Sequence, residues 1–273
     1  MKNAIYMLQN TGFWQIMSFI VTTKNGRIIV IDGGQRGDAD HLLDMLKKVS
    51  GSRKPHVDAW FLTHAHDDHI NAALEILENR MDECSCGGVY YCFPSVQYLE
   101  KYEPGSAPTL RDFYTLLPRI AHIAHTVSTG DVYKIGDARF EVLQTYDDTV
   151  TEDIVNNSST ILRLSQNGKT ALFLADAGIK AGERLLSRYG DALKSDVCQM
   201  AHHGQEGVDR PVYEAIRPST ALWCAPDWLW DNDIEGKGFD TSIFLTVRVR
   251  EWMREICAPV NIVMKDGDAE IEL

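Results

Sequence analysis

The stretch that decides the fold is Thr63-His64-Ala65-His66-Asp67-Asp68-His69. It follows an apolar run ending at Leu62 and precedes apolar residues at helical spacing, so we predict a loop between a strand and a helix. Alternate side chains of an extended segment face the same way, so His64 and His66 can hold one ion together. Asp68 and His69 lie where the chain turns and can reach a second position. A solvated loop that is merely rich in histidine is the alternative, and it is disfavoured because three of the nine histidines fall in this window.

Three further clusters of polar residues each end an apolar run, as a site at strand ends requires. Together with the form His-x-His-x-Asp-His, they make the chain similar to the metallo-β-lactamase superfamily. The resemblance implies a mixed α/β protein with a four-layer αββα sandwich and a metal-dependent hydrolase using metal-activated hydroxide. The clusters are Val30-Ile31-Asp32-Gly33-Gly34, Leu172-Phe173-Leu174-Ala175-Asp176 and Met200-Ala201-His202-His203-Gly204.

The same resemblance implies a set of ligand roles for a centre of one or two divalent transition ions. Imidazole and carboxylate donors suit Zn²⁺ or Mn²⁺, with Fe²⁺ as a further candidate. The sequence does not settle which of the last two histidines binds metal; we favour His202 and give His203 a substrate-facing role as donor or general acid. The implied roles are His64 and His66 on the first ion, Asp68, His69 and His202 on the second, Asp176 as the bridge, Asp32 as support of the metal loop, and Asp68 with His203 as catalytic residues.

One expected ligand is missing from the first ion. Most of the superfamily has a histidine about twenty residues before the bridging aspartate, but here Asn157 stands nineteen positions before Asp176. An amide oxygen is a weaker ligand than imidazole, and Asn157 could equally belong to a simple turn. In either case we predict that the first ion is held less tightly and that preference shifts toward Mn²⁺.

Within the superfamily, three stretches look most like the hydrolase domain attached to bacterial DNA-uptake (competence) channels, which implies phosphodiester substrates. The net charge of −12 argues against sequence-independent binding of nucleic acid over an extended surface, because such binding needs clustered Lys and Arg. We therefore expect a small-molecule or short-nucleotide substrate. The stretches are Gly130-Asp131 with Ile135-Gly136-Asp137, Asn156-Asn157-Ser158-Ser159 leading into Ile161–Leu164, and Asp196 to Gly204.

Two alternatives to a phosphodiesterase stay open. The first is hydrolysis of a lactam, lactone or thioester by the same centre. The second is a weakly catalytic metal-binding sensor, whose turnover is reduced by the missing histidine.

Trp228 and Trp230 flank a predicted loop. The sequence supports two roles about equally for both: lining the mouth of the site, and packing in the core.

The organisation of the chain favours one domain over residues 1–273, since the motifs run from Asp32 to His203 without a Gly- or Pro-rich linker. A helical insertion, interrupted by Pro118, is predicted around residues 94–126, and the helix after the metal run is predicted to begin at Asn71. The six cysteines complete no four-ligand metal set, and reduced thiols with no secretory leader indicate the cytoplasm. The apolar run Ile16–Val21 is too short to cross a membrane, and the sequence leaves the oligomeric state unknown.

Overall fold

The computed structural model describes residues 1–273, and its strands number sixteen. Most of them coincide with runs of β-branched and apolar residues. In chain order they are β1 Ala4–Met7, β2 Ser18–Thr22, β3 Ile28–Asp32, β4 His56–Val57, β5 Ala59–Leu62, β6 Ser85–Cys86, β7 Val89–Tyr91, β8 Ala124–Thr126, β9 Val132–Ile135, β10 Ala138–Gln144, β11 Ile161–Gln166, β12 Lys169–Phe173, β13 Val197–Gln199, β14 Thr220–Trp223, β15 Val260–Val263 and β16 Ala269–Glu272.

Nine α-helices connect or cover these strands. The longer ones are amphipathic and turn their apolar residues toward the sheets. They are α1 Ala39–Ser50, α2 Asp67–Asn79, α3 Val96–Tyr102, α4 Ala107–Ile120, α5 Ile154–Asn157, α6 Ile179–Tyr189, α7 Arg210–Ile216, α8 Asp227–Trp230 and α9 Thr246–Ile256. No helix is both long and apolar enough to cross a bilayer.

Two seven-stranded sheets form the centre of the molecule. The first has the order β16-β1-β2-β3-β5-β7-β8 and the second β15-β14-β13-β12-β11-β10-β9, while β4 and β6 make a separate short pair. A core between the sheets includes the fully buried rings of Phe19, Phe61, Phe140 and Phe173. Each sheet also packs against its own helices around one further core. The predicted αββα sandwich is confirmed.

The topology brings the polar clusters to one edge of the sandwich. Strands β3 and β5 are parallel neighbours in the first sheet, as are β12 and β13 in the second. The carboxyl ends of parallel strands meet at the same edge of a sheet. Asp32 ends β3, Thr63 follows β5, and Asp176 follows β12 by three residues, so these side chains converge.

Three details differ from the predicted elements. Helix α2 begins at Asp67 rather than Asn71, so Asp68 and His69 lie in its first turn. Pro118 does not interrupt α4, because the helix ends only two residues later and the proline forfeits a single hydrogen bond there. Strand β8 lies inside the segment predicted as helical and extends the first sheet beside β7.

Candidate metal centre

Asp32 supports the metal loop through contacts with Thr63 and His69. Its carboxylate is fully buried and accepts hydrogen bonds from the Thr63 backbone N–H at 2.7 Å and the Thr63 hydroxyl at 2.6 Å. It also lies 2.7 Å from Nδ1 of His69. Because a carboxylate only accepts, Nδ1 of His69 carries the proton and Nε2 is left with a free lone pair when the ring is neutral.

Asp176 lies in the middle of four imidazoles. Its Oδ1 is 3.1 Å from Nε2 of His69, and its Oδ2 is 3.3 Å from Nε2 of His203. The same Oδ2 lies 3.7 Å from Nε2 of His64 and 3.9 Å from Nε2 of His202. All four rings therefore turn the same nitrogen toward one buried carboxylate, which is the arrangement a bridging ligand requires.

The contact between His69 and Asp176 tests whether a metal fits. Oδ1 of Asp176 is buried and has no hydrogen-bond donor, although Nε2 of His69 is close. With a neutral His69 ring whose proton is on Nδ1, two lone pairs face each other at 3.1 Å. Burial acts to lower the pKa of His69, but Asp176 and Asp32 outweigh it and raise the pKa well above its usual value, so a second ring proton relieves this contact in the metal-free cluster. A metal ion bound between the two atoms relieves it equally, so the residues present fit a metal ion.

His202 and His203 both have a left-handed backbone, with φ of 49° and 57°. Residues other than glycine rarely adopt this conformation, and strain of this kind collects at functional sites. Nδ1 of His202 lies 2.7 Å from the Glu206 carbonyl and Nδ1 of His203 lies 3.1 Å from the Cys224 carbonyl. A carbonyl oxygen can only accept, so both rings hold their proton on Nδ1 and turn Nε2 inward.

The two neighbouring histidines differ in exposure. His203, predicted to face the substrate, is 1% exposed, and its Nε2 lies 3.2 Å from Oδ2 of Asp68 and 3.4 Å from Nε2 of His69. The His202 side chain, which the sequence analysis favours as the ligand of the pair, is 24% exposed.

Distances between donor atoms suit small transition ions. In a tetrahedral zinc site, two ligand atoms lie about 3.3 Å apart. The contacts of His203 with Asp68, His69 and Asp176 span 3.2–3.4 Å. Nε2 of His64 and Nδ1 of His66 lie 3.1 Å apart, which allows both nitrogens to bind one ion. His69 is shared between two tight groups, one with His64 and Asp176 and the other with Asp68 and His203.

The electrostatics of the cluster are dominated by burial and by the aspartates. Burial lowers the pKa of His64 well below its usual value, and nearby His69 lowers it further. For His203, burial also acts to lower the pKa, but Asp176 and Asp68 outweigh it and raise the pKa to about 9. Burial acts to raise the pKa of Asp68 and Asp176, yet the surrounding histidines hold both below the usual value.

Asn157 does not contact the cluster through its amide. Its Oδ1 accepts a hydrogen bond from the Ala181 N–H at 2.8 Å, and its Nδ2 donates to the carbonyls of Glu152 and Asp153. Both polar atoms of the side chain are thus used to fix the start of α6 to the preceding loop. This position corresponds to the turn alternative of the sequence analysis.

Sequence reasoning missed two residues of the site. Nε2 of Gln15 donates to Oδ2 of Asp68 at 3.0 Å, from a loop that lies far away in sequence. The Thr63 hydroxyl donates to Asp32 and lies 3.2 Å from Nδ1 of His64, so it connects the support to a ligand. Thr63 could have been found from its place in the motif, whereas nothing in the sequence connects Gln15 to the motif.

A cavity of about 510 Å³ opens beside His202 and lies next to the buried cluster. Its polar lining is rich in acceptors, because Glu152, Asp153 and Glu206 contribute to it and Lys180 is its one cationic side chain. Oδ1 of Asn156, another lining residue, is buried and has no hydrogen-bond donor. The cavity therefore suits a group that donates hydrogen bonds, such as a hydroxyl.

The comparisons with known proteins agree with the observed fold. A family model described as the metallo-beta-lactamase superfamily matches residues 11–231. No curated protein has a matching sequence. The metallo-beta-lactamase fold protein YhfI from Bacillus subtilis is 12% identical, with a TM-score of 0.55 over 98% of this chain and 99% of YhfI.

Two other solved structures have similar folds. CmlA from Streptomyces venezuelae, a diiron β-hydroxylase, is 12% identical with a TM-score of 0.61; the match covers 100% of this chain and 54% of CmlA. A diphosphatase from the PhnP family is 13% identical with a TM-score of 0.52, over 99% of this chain and 98% of that one. At these identities the likeness is one of fold.

Proposed function

The chain belongs to the metallo-beta-lactamase superfamily, and we propose that it is a metal-dependent hydrolase that cleaves small phosphodiesters. The observation that carries the proposal is the buried carboxylate of Asp176, which faces Nε2 of four histidines at 3.1–3.9 Å. A centre of this form serves hydrolysis because bound divalent ions acidify water and withdraw charge from the group under attack.

We assign the donors to two ligand sets. The first ligand set is His64, His66, His202 and Asp176, and the second is Asp68, His69, His203 and Asp176. His203 joins the second set because its Nε2 is enclosed among Asp68, His69 and Asp176. His202 supplies the first set with the third imidazole that Asn157 does not. Zn²⁺ and Mn²⁺ both suit such donors.

The chain's own residues prepare the centre in three ways. Asp32 and the carbonyls of Glu206 and Cys224 accept hydrogen bonds from Nδ1 of His69, His202 and His203, so that all three rings turn Nε2 inward as the metal-binding nitrogen. Burial of most of the cluster keeps bulk water away from the reacting groups. The partly exposed ring of His202 marks the side from which substrate enters, because it lines the cavity.

The choice of phosphodiesters has two supports. The Asn156–Ser159 and Asp196–Gly204 stretches resemble the DNA-uptake hydrolases, and the PhnP-family diphosphatase shares the fold. A small substrate fits better than long DNA, because the net charge is −12 and the cavity beside His202 is lined by three acidic side chains and one lysine. Hydroxyls of a short nucleotide could donate to these acceptors.

The test combines metal content with turnover. Elemental analysis should find one or two transition ions per chain, and the loaded protein should hydrolyse bis(p-nitrophenyl) phosphate slowly. Asp68→Ala should abolish turnover, whereas Asp67→Ala, which alters the exposed neighbour, should leave most of it. Hydrolysis of nitrocefin or a lactone with phosphodiesters untouched would establish the alternative hydrolase, and metal binding without any turnover would establish the sensor.

We also propose that the protein works in the cytoplasm. All six cysteines are free thiols in the structure. A reducing compartment preserves thiols in this state, whereas secreted proteins commonly pair them. Fractionation of the native host cells, followed by detection of this chain in the soluble and membrane fractions, tests the proposal.

A further inference from the structure

The loop between β1 and β2 carries two large aromatic side chains that remain exposed. Phe13 is 55% exposed and Trp14 is 54% exposed. Phe13 stacks on Trp228 with ring centroids 5.7 Å apart and planes 16° from parallel, and Trp14 meets both rings edge-on. We call Phe13, Trp14 and Trp228 the aromatic face. Exposed aromatic clusters of this kind commonly mark binding surfaces.

The aromatic face is held in place by hydrogen bonds that do not involve the Phe13 and Trp14 side chains. Nδ2 of Asn10 donates to the carbonyls of Gly12 and Trp14, and Nε1 of Trp228 donates to the Phe13 carbonyl at 2.8 Å. Thr11 donates twice to Asp38. A surface fixed in this way loses little conformational entropy when a ligand binds.

The same loop also contacts the metal centre. Gln15, the residue after Trp14, donates from Nε2 to the carboxylate of Asp68 at 3.0 Å. The Met17 N–H donates to the Asp68 carbonyl at 3.0 Å. Oε1 of Gln15 is buried without a donor, so the loop takes this position even though an acceptor is left unpaired. The aromatic face therefore lies beside the second ligand set.

We propose that the aromatic face binds a flat aromatic group of the substrate, such as a nucleobase, while the phosphate ester lies at the metal centre. The inference rests on the proposed function for the position of the phosphate, but the stacking has its own readout. Every nucleobase has a π-face, so stacking on Phe13 and Trp14 would favour nucleotides with little preference for the base. Trp228 would support Phe13 from behind.

The experiment measures binding rather than turnover. Isothermal titration of the manganese-loaded protein compares adenosine 5′-monophosphate with ribose 5-phosphate, which differ only by the base. We expect about tenfold tighter binding of the nucleotide, and quenching of tryptophan fluorescence by the nucleotide alone. Phe13→Ala with Trp14→Ala should remove the difference, whereas Phe13→Leu should lose stacking but keep apolar bulk. Phe239→Ala is the control, because this 61% exposed ring lies beside Arg250 instead.

The outcomes separate the two proposals. A nucleotide preference that the double variant removes supports the aromatic face, even if bis(p-nitrophenyl) phosphate is not hydrolysed and the proposed function fails. Equal binding of the two ligands, no binding of either, or a preference that survives in the double variant would overturn the inference. A wild-type dimer that the double variant converts to a monomer would also overturn it, because the face would then join two copies of the chain.

Discussion

The carboxylate of Asp32 lies 2.7 Å from Nδ1 of His69, and both side chains are fully buried. Asp32 ends β3 with a left-handed backbone, φ 56°, and its carbonyl accepts a hydrogen bond from Nε1 of Trp60 at 2.7 Å. One residue thus fixes the end of a strand, the loop at Thr63 and the tautomer of a proposed ligand. The metal centre depends on this support as well as on its direct donors.

Asp32→Asn should weaken metal binding by about 10- to 100-fold, because an amide cannot reproduce the carboxylate that fixes His69. Competition with a chromogenic chelator measures the affinity. Asp58→Asn is a matched control at the other end of β3, where Asp58 accepts from the Ile28 N–H at 2.9 Å. It should lower stability without changing metal affinity. Equal loss of affinity in both variants would mean that Asp32 acts only through folding.

Single replacements of the paired histidines should remove different ions. His203→Ala should empty the second ligand set, whose donors His203 contacts at 3.2–3.4 Å. His202→Ala should empty the first set, which we expect to bind less tightly because His202 is partly exposed. Titration with Co²⁺, followed by visible spectra and metal content, resolves the two sites. Loss of the same ion in both variants would contradict the assignment.

Asp176→Ala should lose more metal than any other single variant of the centre, because only this carboxylate faces both ligand sets. Asp147→Ala is its control, since Asp147 is a surface carboxylate paired with Arg184 at 2.7 Å. Metal content after dialysis should fall toward zero for Asp176→Ala and stay at the wild-type value for Asp147→Ala. Equal losses would show that the bridge is assigned to the wrong aspartate.

The convergence of His64–His69, Asp32 and Asp176 was predicted from the resemblance and from the place of each cluster at the end of an apolar run. Each of these follows an apolar strand, and parallel strands deliver their carboxyl ends to one edge. The αββα arrangement came from the resemblance, since periodicity alone indicated only alternating strands and helices. Regular apolar spacing, as in α1, identifies a helix, but it placed the start of the helix after the metal run at Asn71, four residues after the observed start at Asp67.

The orientation of His202 and His203 could not be predicted in the same way. It depends on left-handed backbone at both residues and on the carbonyls of Glu206 and Cys224, and a sequence shows neither. The role of Asn157 could not be predicted either, because it depends on a hydrogen bond from the Ala181 N–H. Backbone acceptors and donors are present at every position, so their use emerges only from the folded chain.

The thiols should be unreactive at neutral pH. Burial raises the pKa of Cys84 to about 11 and that of Cys86 to about 12, and it also raises the pKa of the other four thiols. Since only the thiolate reacts, iodoacetamide at pH 7.5 should modify the native chain very slowly, and the rate should rise as pH approaches 9 or more. Mass spectrometry counts the adducts. Denaturant should expose all six cysteines, and rapid labelling of a native one would refute the prediction.

Gly204, next to His203, has no room for a side chain. Its φ is +84°, and an added Cβ would lie 2.2 Å from Cε3 of the buried Trp223 ring. Trp223 in turn donates from Nε1 to Oδ1 of Asn261 at 2.9 Å, so it cannot shift without losing that bond. Gly204→Ala should therefore displace the turn that carries His202 and His203 and cost about 2–4 kcal/mol of unfolding free energy.

Gly236→Ala separates steric overlap from backbone strain, because Gly236 also has positive φ, +69°, but nothing within 4 Å of an added Cβ. Denaturant unfolding of the metal-free variants should show a loss of about 1 kcal/mol for Gly236→Ala and a clearly larger one for Gly204→Ala. Chelator competition should show weaker metal binding only in Gly204→Ala, since only that turn carries ligands. Similar losses of stability in both variants, with unchanged metal affinity, would mean that Trp223 yields easily and does not hold the histidine turn in place.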